Sequence, residues 1–121
     1  MNAHTPGPWH VSAGSSPGNP RVIVESDAGL PVCALSLRGV QGDTRRMEAN
    51  ARLIAAAPDL LEACQTFAEW LGREDAGYQG ERDTPEGECQ WREWYDENMR
   101  LCSLAQSQAR AALDRATGGE S

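Results

Sequence analysis

Between Pro85 and Gly118 the chain runs 32 residues with no proline and only one glycine, and this stretch constrains the fold more than any other. Thr84-Pro85 reads as an N-cap followed by proline at the first helical position, where a missing N–H removes no helical bond. A helix over 85–117 spans roughly 48 Å at about 1.5 Å per residue. Trp91, Tyr95, Asn98, Cys102, Ala105, Ala109, Ala112 and Ala116 recur along it at alternating four and three residues. That is a heptad seam, bulky at its start and small toward its end. It suits either the chain's own second helix or, in a homodimer, the same helix of another copy.

The rest of the chain divides by the period of its apolar residues. Trp9-His10-Val11, Arg21 to Ser26 and Val32 to Leu37 are strand-like, and β-branched in their centres. Ser15-Ser16-Pro17-Gly18-Asn19-Pro20 and Asp27-Ala28-Gly29-Leu30-Pro31 are turns by composition. Short links of this kind favour an antiparallel hairpin or meander. Gly39 to Gly42 breaks the strand pattern and Asp43 is a plausible N-cap. Thr44 to Ala57 then reads as helix with Met47, Ala51 and Ile54 on one side. Pro58 interrupts it, and a second helix from Asp59 to Arg73 carries an amphipathic stripe of Leu60, Cys64, Phe67 and Leu71. The expected architecture is a single α+β domain over 1–121. A β region (1–42) and a bent helix pair (43–73) are followed by an acidic loop (74–84) and the long helix (85–117).

Large aliphatic residues are sparse and alanine supplies much of the apolar count, so the core should be thin. No apolar run approaches the roughly 20 residues that span a bilayer, and Met1 to Pro6 lacks the basic start and apolar stretch of a secretory signal. The expected location is a cytoplasm. Cys33, Cys64, Cys89 and Cys102 are unclustered, which in a reducing compartment points to mostly buried free thiols. All 11 basic residues are arginine. The formal charge of −7 is unevenly placed: residues 69–97 hold ten acidic side chains against Arg73, Arg82 and Arg92, a difference of −7 that equals the charge of the whole chain. Such a region disfavours direct contact with nucleic acid, whose phosphates demand cations, and attracts a cationic partner.

Enzymatic chemistry is not expected. Structural zinc sites bring cysteines in close pairs, and the nearest two here, Cys89 and Cys102, are 13 apart. The two histidines, His4 and His10, stand near the N-terminus, away from any nucleophile motif. Glu93 and Glu97 sit one turn apart, which is the ordinary pattern of a solvated helix face. Ser15-Ser16-Pro17-Gly18 lacks the length and the lysine of a phosphate loop. No metal and no cofactor is implied. The acidic stretch is also where Trp70, Trp91, Trp94 and Tyr95 gather. On a helical wheel Trp91 and Tyr95 face the core and Trp94 turns partly outward, making it a candidate interface anchor. The candidate partner-binding residues are therefore Glu81, Asp83, Glu86, Glu88, Glu93, Trp94, Asp96 and Glu97.

Three segments also carry a likeness. His4-Thr5-Pro6-Gly7-Pro8-Trp9, the run Ala49-Asn50-Ala51-Arg52-Leu53-Ile54-Ala55-Ala56-Ala57-Pro58-Asp59-Leu60-Leu61-Glu62-Ala63, and Ala109 to Gly118 resemble a widespread group of small bacteriophage and prophage proteins. The resemblance implies no catalytic or binding residue. It does imply a mode of action common among such proteins: stoichiometric binding to host machinery, including inhibition of CRISPR effectors and other defence systems. On that reading the protein, in the host cytoplasm, presents its acidic surface to a basic, nucleic-acid-binding surface of a host protein. Two other readings stand beside it. One is a homo-oligomeric sponge for a nucleotide signal, drawing on Arg45, Arg46 and Arg52. The other is a structural or regulatory phage protein with no defence role. The acidic, tryptophan-bearing stretch is expected to be particular to this chain.

Overall fold

In the computed structural model, residues 3–13, 21–36 and 44–119 are described. Alternation along the second apolar run places Val22, Val24 and Ser26 on a buried face, with Ile23 and Glu25 only partly covered, the period of two that makes a half-buried strand. This run is β2 (Arg21–Ser26), flanked by β1 (Trp9–Ala13) and β3 (Pro31–Ser36). The three form an antiparallel meander in the order β1-β2-β3, as expected from the short links. The turn after β2 closes through Ser26, whose N–H donates to Leu30 O at 2.8 Å and whose Oγ accepts from Leu30 N–H at 3.2 Å. The expected turn at 15–20, the break at 39–42 and the N-cap at Asp43 lie outside the described residues.

Helices follow as α1 (Thr44–Ala55), α2 (Ala57–Ala76) and α3 (Pro85–Thr117). Pro58 stands in the first turn of α2, and the chain bends at Ala56 because a proline there has no N–H to continue the α1 ladder. α2 runs past Arg73 and stops at Gly77, so the acidic loop is shorter than its composition suggests. α3 has the expected bounds. Thr84 Oγ1 accepts from Gly87 N–H at 3.0 Å, Pro85 opens the first turn, and Gly118 closes the last at φ 69°.

Two cores result. Met47, Ala51 and Ala55 of α1 pack on Val22 and Val24, with Trp9, Val32, Leu35 and Ile54 around them. α2 and α3 form an antiparallel hairpin, since Arg73 meets Trp94 and Asn98 while Glu62 meets Gln108 and Asp59 meets Arg115. Its interior is narrow: Ala63 of α2 against Leu101, Ala105 and Ala112 of α3. Six of the ten buried apolar residues among those described are alanines, so the core is as thin as the composition implied. α1 touches all three strands and also α3, which seats the sheet at one end of the hairpin, its root, and leaves the α2–α3 loop at the other.

Candidate functional site

The root is where the three segments noted in the sequence converge. A Cβ on Gly7 would lie 2.7 Å from Pro58 Cβ, so only glycine lets the N-terminal arm close on the α1–α2 bend. Trp9 donates its indole N–H to Thr5 O at 3.1 Å, and Trp9 O accepts from Arg115 Nη2 at 2.5 Å. The same guanidinium holds Asp59 through Nη1. Gly118 packs against the side chain of Arg52. Segments near positions 7, 58 and 115 thus fasten one another, which gives each of them a structural reason to hold its residue types.

The acidic residues gather at the opposite end. Glu81 and Asp83 stand exposed in the loop, and Glu86, Glu93 and Asp96 are exposed on α3. Glu86, Glu93 and Glu97 share one side of α3, being separated by seven and four residues. Two of the eight candidates are tied to arginine. Arg82 grips Glu88 with Nε and Nη2, both at 3.3 Å. Arg100 donates to Glu97 from Nε at 2.9 Å and from Nη2 at 2.5 Å. That hydrogen bond holds the Glu97 carboxyl below the ordinary glutamate range and raises the Arg100 guanidinium in turn. Among the described residues, Glu81, Asp83, Glu86, Glu93 and Asp96 form no ion pair.

Trp94 and Tyr95 exchange the places expected of them. Trp94 is half-buried at the inward face of the hairpin, beside Tyr78, with the Arg73 guanidinium 5.6 Å from its ring centre. Tyr95 is 45% exposed and stacks on Trp91, whose other neighbour is Arg82 at 3.8 Å. The buried and half-buried seam of α3 runs through Trp91, Trp94, Asn98, Leu101, Ala105 and Ala112. It shares Trp91, Asn98, Ala105 and Ala112 with the sequence pattern but uses Trp94 and Leu101 where that pattern has Tyr95 and Cys102. Both sets obey heptad spacing. The inward one wins because Arg73 bonds the Trp94 carbonyl at 3.1 Å and the Asn98 side chain at 3.2 Å, a polar clamp invisible to an apolar count.

The outer set has its own consequence. Leu60, Cys64, Phe67 and Trp70 of α2, with Cys102 and Leu113 of α3, line an open groove of about 470 Å³ whose walls are almost wholly apolar. Leu60, Cys64 and Phe67 of the amphipathic stripe on α2 face this groove and not the core, and Leu71 is 40% exposed. The cysteines are correspondingly not buried: Cys64 and Cys89 are exposed, Cys33 and Cys102 half-covered, and all four are free thiols. An alanine-wide helical interface has no room for the larger side chains, which fall to its edge.

Of the arginines considered for a nucleotide pocket, Arg45 and Arg46 are exposed on α1, whereas Arg52 turns to the end of α3. Among the described residues no three His, Cys, Asp or Glu side chains are grouped to hold a metal ion, and no helix is long and apolar enough to cross a membrane.

Sheet, bend and hairpin together define a small α+β protein whose root is fastened by short sequence signatures and whose acidic end projects from it. The chain belongs to the phage family described as Salmonella phage P22 protein Y8K6, whose family model matches residues 1–120. That match runs through the acidic stretch, so residues 69–97 lie within the family's span and are not an addition outside it. No curated protein and no solved structure matches the chain.

Proposed function

We propose that this phage-family protein acts without catalysis, by stoichiometric binding of a bacterial host protein whose basic surface serves nucleic acid, and that it thereby inhibits a host anti-phage defence system. The observation that carries this reading is the position of the charge. The whole formal −7 resides in residues 69–97, and these fold into one end of a helical hairpin whose other end is occupied by the sheet. Carboxylates displayed on a helical tip form a pre-ordered anionic ridge, which steers a cationic partner and competes with phosphates for the same guanidinium and ammonium groups. Glu81, Asp83, Glu86, Glu93 and Asp96 are the carboxylates available to it; Glu88 and Glu97 already hold an arginine each. Trp94 supports the tip from inside, through Tyr78 and Arg73.

The test is capture from host lysate with the intact protein at low and high salt, with identification of what is retained at low salt only. Replacing Glu81, Asp83, Glu86 and Glu93 by Gln or Asn should abolish capture and leave the circular dichroism unchanged. Retention of the same partner with undiminished affinity would reject the charge mechanism. Protection of infecting phage by the native chain, lost in the neutralised variant, is the corresponding result in cells.

A further inference from the structure

We propose that the face of Trp91 and the carboxylate of Glu88 form a guanidinium-binding seat, held in the free chain by Arg82 of the same molecule and taken in the complex by an arginine of the partner. The proposal rests on the preceding reading of the acidic end as the docking end, and names the side chain docked there. Glu88, Trp91 and Tyr95 are spaced three and four residues apart, so they share one side of α3. Arg82 lies over the Trp91 ring, its guanidinium carbon 3.8 Å from the ring centre, and donates to Glu88 from both Nε and Nη2. Tyr95 stacks on Trp91, with ring centres 5.2 Å apart and planes 23° apart, and extends the aromatic surface. An aromatic face beside a carboxylate that accepts two parallel N–H groups matches a planar guanidinium better than the compact ammonium of lysine.

The fold builds this seat without relying on the Arg82 side chain. A Cβ on Gly87 would overlap the Glu81 carbonyl, so glycine there lets the loop rest on the first turn of α3. Thr84 Oγ1 accepts from the Gly87 N–H, and Tyr78 Oη donates to the Gly87 carbonyl at 3.2 Å. The loop is thus pinned on both sides of Arg82 by contacts that its guanidinium does not make. The Arg82 and Glu88 side chains are 49% and 40% exposed, and an ion pair so open to water contributes little to stability. Arg73 is the contrast. Its guanidinium also lies near a ring, that of Trp94, but is bonded to the Trp94 carbonyl and to buried Asn98 between the helices. Exchange at the Arg82 position removes one guanidinium and supplies another. The incoming one is shielded from water by the partner that carries it, and the attraction between a cation and a ring strengthens when water is excluded. Glu81 and Asp83, exposed on either side of Arg82 in the sequence, draw cations toward the same spot.

The probes are end-blocked hexa-arginine and hexa-lysine peptides, titrated calorimetrically into the intact chain at low salt. The arginine peptide should bind roughly tenfold more tightly than the lysine peptide. Glu88→Gln and Trp91→Leu should each bring that ratio close to unity. The first alters a half-exposed carboxylate and so reads the ratio in an intact fold, whatever the second does to packing. Arg82→Gln removes a positive charge, which strengthens both peptides alike, and removes the internal occupant, which should raise the ratio by roughly a further threefold. Displacement itself is followed through the Arg82 Nε–H resonance, assigned by its loss in Arg82→Gln. The Trp91 ring current shifts this signal in the free chain, and saturation with the arginine peptide should return it to the position of an exposed arginine. A ratio near unity in the native chain, or an Arg82 signal that stays in place at saturation, would overturn the proposal. If neutralising Glu81, Asp83, Glu86 and Glu93 still abolishes binding of both peptides in that case, the charge reading stands and the seat alone fails. Binding of both peptides that survives neutralisation removes the charge reading as well.

Discussion

Asn98 is the residue on which the hairpin's register turns. It is 3% exposed, accepts from Arg73 Nε at 3.2 Å and donates its amide to Glu74, so one buried side chain satisfies two partners on the facing helix. A polar residue at one interior position of a helical seam fixes which residues face each other, because every shifted pairing strands it without partners. Asn98→Ala should lower stability by about 1–3 kcal/mol, since it leaves Arg73 short of an acceptor at a partly buried site. Urea unfolding followed by circular dichroism measures this, and an unchanged midpoint would show that water replaces the amide at no cost. The position was visible in the heptad count, but its meaning was not: an apolar pattern records Asn98 as an interruption, whereas the geometry makes it the clamp.

At the scale of the element, the bounds of α3 were legible and the faces of the helices were not; α2 begins two residues before Asp59 and runs three past Arg73. Thr84, Pro85 and Gly118 bound α3 because an N-cap oxygen, a donor-free first position and a left-handed last residue are local requirements, readable from single residues. The bend at Pro58 was legible for the same reason. Which stripe of a helix faces inward depends on the opposing helix, and an alanine interior gives little signal from hydrophobicity alone. Tyr95 and Cys102 were therefore placed inside when Trp94 and Leu101 are there, and the amphipathic stripe through Phe67, which is 49% exposed, lies at the surface. The candidate carboxylates at the tip were located by charge counting alone, yet the arginines that neutralise Glu88 and Glu97 come from loop and helix geometry. Capping gives a test at this scale. Gly118→Ala should cost about 1–2 kcal/mol, because φ 69° disfavours any Cβ and this one would meet Arg52 Nε at 2.9 Å. Thermal unfolding of the variant checks it, and a midpoint equal to that of the native chain would mean the last turn contributes nothing.

For the molecule as a whole, the uneven charge is a mechanical fact as much as a recognition one. Like charges within residues 69–97 repel one another in the folded hairpin more than in an extended chain, so added salt should raise the unfolding temperature. Substituting four tip carboxylates by amides should raise it further and remove most of its salt dependence. Scanning calorimetry in low and moderate sodium chloride reads both, and a temperature that falls with salt would contradict the picture. The convergence of Gly7, Pro58, Asp59 and Arg115 at the root has a different kind of consequence. Because the fastenings lie there, the outer part of the hairpin behaves as a cantilever whose reach is an adjustable dimension. Removing or inserting seven residues in each helix, about two turns, shortens or lengthens the arm and returns the same inward faces.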